Sequence, residues 1–173
     1  LMSVDNGEFD LLRIVSRAVR EMSEGELLQI EKARKLNINE SIYFEIIRRK
    51  TASLIASCCQ SGAASTGCGE EKQEKMRLFG EKVGIAFQIK DDLFDYGDDD
   101  TIGKPTGIDI KERKMTLPLI RALNTANPKD RRRITNIVKR HHENPEKVRE
   151  VIKYVLDSDG IAYSRQRMME YMN

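Results

Sequence analysis

Tryptophan is absent from this 173-residue chain, histidine occurs twice, proline four times and glycine eleven times. So few turn formers argue against an all-β sandwich, which needs many tight turns. Cysteine is also scarce: Cys58, Cys59 and Cys68 are odd in number and two are adjacent. They complete neither a disulfide framework nor a zinc site, and read as reduced, small buried hydrophobes in a cytoplasmic protein. Neither sign of charge dominates, with 30 Lys and Arg against 28 Asp and Glu. Nucleic-acid binders draw affinity from phosphate neutralisation, so this balance argues against a nucleic-acid partner. The run Lys129-Asp130-Arg131-Arg132-Arg133 could meet phosphate, but reads first as a solvated helix start. Long apolar runs are missing, so no transmembrane segment is expected. Apolar residues nevertheless recur along the chain and make up 39% of it, which argues against disorder.

What is present is helical periodicity. Phe9, Leu12, Val15, Val19 and Met22 give a first helix over Gly7–Met22, and a second follows Gly25. Asn37 and Asn39 offer caps before a long helix over Ser41–Gly62. The small-residue stretch Gly62–Gly69 reads as a turn, and another helix runs from Glu70 to Tyr96. Gly97–Gly107 is a loop by composition. Pro118, Asn127-Pro128, Asn144-Pro145 and Asp159-Gly160 then open four further helices. No strand and no fixed-period repeat is found, so the fold class is all-α. The start, Leu1-Met2-Ser3-Val4, carries no secretory leader pattern, and the last helix has no stop signal. Both ends read as cut, and a span cut this way is expected to expose apolar surface or to associate.

The segment Gly84–Asp95 carries the chemistry. With Gln88 at zero on a helical wheel, Asp92 falls near 40°, Asp95 near 340° and Asp91 near 300°, an arc of about 100°. Gly84 shares that side and is expected to leave open space beside it. Much of the remaining circumference is apolar, which predicts a helix buried on most sides. Crowded, desolvated carboxylates repel, so either their pKa values rise or cations neutralise them. An acidic row without His or Cys suits Mg2+, which keeps its waters and shares phosphate oxygens. The competing reading is a solvated helix end, although acids there oppose the macrodipole. Lys50-Thr51 interrupts an apolar stretch, Gly103-Lys104 follows the acidic helix, and Lys114 comes soon after. Metal-binding carboxylates and phosphate-binding lysines are the two needs of a metal-bridged diphosphate, although Lys50 alone reads first as a snorkelling surface lysine.

In order and spacing these residues resemble the trans-isoprenyl diphosphate synthases, the polyprenyl synthetase family, and its long-chain, octaprenyl-like members in particular. Gly84, Phe87, Gln88, Asp91, Asp92 and Asp95 match the second aspartate-rich motif, GxxFQxxDDxxD. Gly103-Lys104 with Gly107-Ile108-Asp109, and Lys114-Met115-Thr116-Leu117-Pro118, resemble GKxxGxD and KxTLP. Upstream, Gly25-Glu26 with Gln29 resembles GExxQ, and Tyr43 with Lys50-Thr51-Ala52 resembles YxxxxxxKTA.

The resemblance implies an isoprenoid synthase-type antiparallel helical bundle, of which residues 1–173 form a single all-α segment, the C-terminal half. It implies Mg2+-dependent condensation of isopentenyl diphosphate with an allylic diphosphate through an allylic carbocation, and a homodimer in the full-length protein. Asp91 would bind Mg2+, with Asp92 and Asp95 completing the acidic face. Lys50 and Lys104 would contact the allylic diphosphate, with Thr51 and Gln88 beside it. Lys114 and Asp109 would support the following loop and its metal waters, Lys114 also facing the diphosphate. The first aspartate-rich motif, the isopentenyl diphosphate contacts and the family's basic tail have no counterpart here, so the span alone is expected to be inactive. Arg113 stands where many members have Gly, and Phe94 where an aliphatic residue is commoner. A non-catalytic subunit of a heteromeric synthase and a class I terpene synthase are the competing expectations.

Overall fold

A computed structural model describes residues 5–35, 38–97 and 106–173. Among them all regular structure is helical, as the periodicity requires. The elements are α1 (Phe9–Lys35), α2 (Glu40–Ile47), a π-helical turn (Arg48–Ala52), α3 (Ser53–Ser65), α4 (Glu70–Phe94) and α5 (Ile108–Lys111). They continue as α6 (Leu117–Thr125), α7 (Pro128–Arg140), α8 (Pro145–Leu156) and α9 (Gly160–Met172). None of these helices is long and apolar enough to cross a membrane.

Local signals set most boundaries. The Asn39 side chain accepts the Ile42 N–H at 2.9 Å and caps α2. Asn127 and Asn144 cap α7 and α8 in the same way, each followed by proline in the first turn. The expected break at Gly25 does not occur, because α1 runs through it for 27 residues. Glycine is needed there for closeness: a Cβ on Gly25 would sit 2.6 Å from the Lys50 backbone nitrogen. The expected Ser41–Gly62 helix extends to Ser65, interrupted by the π-helical turn that holds Lys50 and Thr51.

Helix α3 packs between α1 and α4, while α9 lies on α4 and α6. One apolar cluster gathers Tyr43, Ile46, Ile47, Ile85, Ile89, Leu93, Leu117 and Ile120 from α2, α4 and α6. A second gathers Leu119, Leu123, Ile134, Ile137, Val148, Val151 and Val155 from α6, α7 and α8. Met115 and Ile161 touch both.

Three burial expectations are corrected. Phe9, Leu12, Val15 and Val19 are exposed, because α1 buries Ile14, Ala18 and Gly25 instead. Val83 and Phe87 are exposed too, so α4 is covered on fewer sides than its composition suggests. None of the cysteines is fully buried, and Cys58 is exposed. All three are free thiols. Large apolar side chains are thus exposed on α1 and α4.

Candidate functional site

Four of the sequence segments converge on one cavity of about 770 Å³. Its polar wall includes Glu26 and Gln29 of α1, Lys50 of the π-helical turn, Gln88, Asp91 and Asp92 of α4, and Asp109 and Lys114 from the segment around α5. Ile30, Ala33, Ile38, Ile46 and Met115 supply apolar lining.

The π-helical turn positions Lys50 and Thr51. An extra residue in a helical turn re-aims side chains, and such turns recur at functional sites. Two close approaches clamp it. Gly25 admits the backbone of Lys50 from one side. Gly84 admits Ala52 from the other, where a Cβ would lie 2.5 Å from the Ala52 Cα. The open space expected beside Gly84 is thus filled by Ala52. Lys50 Nζ is paired with Glu26 at 2.6 Å and donates to Gln29 at 3.2 Å. It is a cation held at the cavity wall, not a snorkelling lysine with its head in bulk water.

A hydrogen-bonded chain crosses from this turn to the acidic helix. Thr51 Oγ1 donates to Gln88 Oε1 at 3.1 Å, and Gln88 Nε2 donates to Asp92 Oδ1 at 3.2 Å. Asp92 Oδ2 accepts the Tyr43 hydroxyl at 2.8 Å and the Leu117 N–H at 3.2 Å. Asp92 therefore ties α2, α4 and α6 together. Burial pushes its carboxyl up to about 7, against the lowering effect of its donors. Burial and the nearby Asp92 carboxylate likewise push the Tyr43 hydroxyl well up, which keeps it a donor.

The three aspartates diverge in depth. Asp91 is exposed at the cavity wall, and its side chain takes part in no hydrogen bond among the described residues. Asp95 is buried, and its two oxygens accept the Ile108 and Asp109 N–H groups at 2.7 and 3.2 Å. It props the start of α5, and burial followed by the Asp109 charge raises its pKa. Among the described residues no three His, Cys, Asp or Glu side chains are arranged to hold a metal; Asp91 and Asp92 line the cavity, while Asp95 turns its oxygens to the start of α5. The donors present still fit Mg2+ in its usual mode, with one or two carboxylates beside waters and phosphate oxygens. Asp91 is the open donor for it, and Asp92 its neighbour.

Lys114 closes the opposite rim, 2.7 Å from Glu112 and 3.1 Å from Asp109. Partial burial disfavours its charge, but these carboxylates outweigh that and hold its pKa above the usual lysine range. Lys104 lies outside the described residues. Two features escaped the sequence reading. Glu112 pairs with Lys114, a role its place in a charge run does not reveal. Arg113 has φ of +58°, the left-handed region, which gives a physical reason for a glycine preference there.

The polyprenyl synthetase family model matches residues 1–155. The chain is 33% identical over 150 residues to the short chain isoprenyl diphosphate synthase of Methanocaldococcus jannaschii, covering 86% of this chain and 46% of that protein. It is 32% identical over 174 residues to the octaprenyl diphosphate synthase of Escherichia coli K12, covering 98% and 52%. A crystal structure of polyprenyl synthase from Caulobacter crescentus, complexed with calcium and isoprenyl diphosphate, superposes with a TM-score of 0.89 at 33% identity. That match covers 97% of this chain and 52% of the other. The chain thus spans about half the length of the curated relatives it matches.

Proposed function

The chain belongs to the polyprenyl synthetase family, and from this we propose that it is one all-α segment, residues 1–173, of a larger prenyltransferase domain. The full-length protein, a homodimer, condenses isopentenyl diphosphate with an allylic diphosphate to make a polyprenyl diphosphate. The observation that carries this reading is the cavity in which Lys50 and Lys114 face Asp91 and Asp92 beside an apolar wall.

Lys50, Lys104 and Lys114 neutralise the allylic diphosphate. Glu26 and Gln29 hold Lys50 extended until phosphate oxygens replace the carboxylate. Thr51 and Gln88 lie beside the same diphosphate, and Asp92 fixes the Gln88 amide. Asp91, with Asp92 behind it, would hold Mg2+, which supplies positive charge that eases departure of the diphosphate. Asp95 acts one step back, by setting the backbone that carries Asp109. The apolar wall receives the hydrocarbon and keeps water from the allylic cation. The double bond of isopentenyl diphosphate attacks that cation, and the resulting cation loses a proton to the departed diphosphate, which completes the new chain. The catalysis rests on charge organised before the bond breaks.

The test is steady-state elongation by the full-length protein with Mg2+. Asp91→Ala is expected to lower turnover by orders of magnitude, and equal rates for variant and wild type would refute the role. The 173-residue span alone is expected to elongate nothing, and robust elongation by it would overturn its place as part of a larger catalytic domain.

A further inference from the structure

Helix α7 carries a charge pattern that the condensation does not use. Six of its 13 residues are Lys or Arg, against one Asp, in a chain whose totals are 30 and 28. At 100° per residue, Lys129, Arg132, Arg133, Asn136, Lys139 and Arg140 fall within an arc of about 120°. All six are exposed, while Ile134, Ile137 and Val138 are buried on the other side. The single acid, Asp130, lies about 100° from Lys129 and off the stripe. Arg133 is tied to Asp130 and to Glu150 of α8. Lys129, Arg132, Lys139 and Arg140 enter no salt bridge among the described residues. These four cations span about 17 Å of helix.

The chain just past the stripe touches a residue of the cavity wall. Arg113, which lines the cavity, donates from Nε to His142 Nε2 at 3.1 Å, just past the end of α7. We infer that this face of α7 docks the protein onto an anionic phospholipid bilayer. A straight row of cations matches a flat sheet of headgroup charge, at about 1 kcal/mol per Lys or Arg. The stripe holds no apolar or aromatic side chain, so it adsorbs at headgroup level without insertion and is released by salt. Nucleic acid is the other polyanion, but the stripe offers neither groove nor stacking ring. The choice of a bilayer also rests on the proposed product, an amphiphile whose hydrocarbon partitions into lipid next to the cavity that releases it.

The experiment is sedimentation of the protein with vesicles, without substrate or metal. Vesicles of phosphatidylcholine alone are compared with vesicles holding about one third phosphatidylglycerol, at about 0.05 M and about 0.5 M salt. Binding is expected only to the anionic vesicles at low salt. The double variant Arg132→Glu/Lys139→Glu is expected to weaken it about 30-fold or more, since two contributions of about 1 kcal/mol are removed. Lys72→Glu/Lys82→Glu on α4 makes the same change in net charge and is expected to shift binding less than about threefold. Equal binding to neutral vesicles, equal losses in the two variants, or preference for a duplex oligonucleotide at the same salt would overturn the inference. Elongation by the full-length protein is measured separately. Failed elongation with intact vesicle binding would sink the site reading alone, and the reverse pattern would sink the docking alone.

Discussion

Asp92→Asn separates the structural work of this residue from its charge. The carboxyl moves from an ordinary 3.8 to about 7 on folding, chiefly through burial. At 1.36 kcal/mol per unit, that is about 4 kcal/mol of preference for the protonated form. Between these values the folded state keeps a proton that the unfolded state has lost. This group's contribution is therefore fully present below about pH 4, falls as pH rises, and is lost above about pH 7. Asparagine has the same shape. Its oxygen can accept from the Tyr43 hydroxyl and the Leu117 N–H, and its amide can donate to a rotated Gln88, so the bonds survive without the ionisation. Urea unfolding in metal-free buffer from pH 4 to pH 8 is the assay. The difference between variant and wild type is the readout, because it cancels the carboxylates whose pKa values are lowered, such as Glu45 and Glu74. The variant is expected to gain up to about 4 kcal/mol relative to wild type across that range. Two stability curves that stay parallel within about 0.5 kcal/mol would refute the burial argument.

Two other substitutions test the frame around the site. Gly25→Ala would push a methyl group to 2.6 Å from the Lys50 nitrogen and 2.8 Å from the Arg49 Cβ. Backbone cannot yield as a side chain does, so a loss of about 2–3 kcal/mol is expected. A neutral melt would show that α1 does not clamp the π-helical turn. Arg113→Gly is expected to raise stability by about 1 kcal/mol, because relief of a left-handed backbone outweighs one partly buried contact to His142. A drop in the urea midpoint would mean that the His142 contact outweighs the strain.

The helical wheel placed Gln88, Asp91, Asp92 and Asp95 on one side of α4, and the cavity does take Gln88, Asp91 and Asp92. What a wheel lacks is depth. Asp92 is buried because Tyr43 and Leu117 come over it from distant segments, and Asp95 because the chain returns at Ile108. Periodicity likewise says that a face is apolar without saying that it is covered. On α1 the large residues Phe9, Val15 and Val19 are exposed, while the small Ala18 and Gly25 make the contact. Small residues permit close approach, and a hydrophobicity count underweights them.

The π-helical turn sits inside the motif that joins Tyr43 to Ala52. Tyr43 and Lys50 are seven positions apart, close to two turns of regular helix, so both belong to one side. From the turn, Thr51 reaches Gln88 while Lys50 reaches Glu26 and Gln29. Gly25 and Gly84 flank the turn, and each stands at a point where backbone meets backbone. The four segments are therefore one mechanical unit: glycines that let helices close on a widened turn, and polar side chains whose positions that closeness sets. Loss of either glycine is expected to disturb Lys50 and Thr51 before it disturbs Asp91, because Asp91 stands on α4 beyond the clamp.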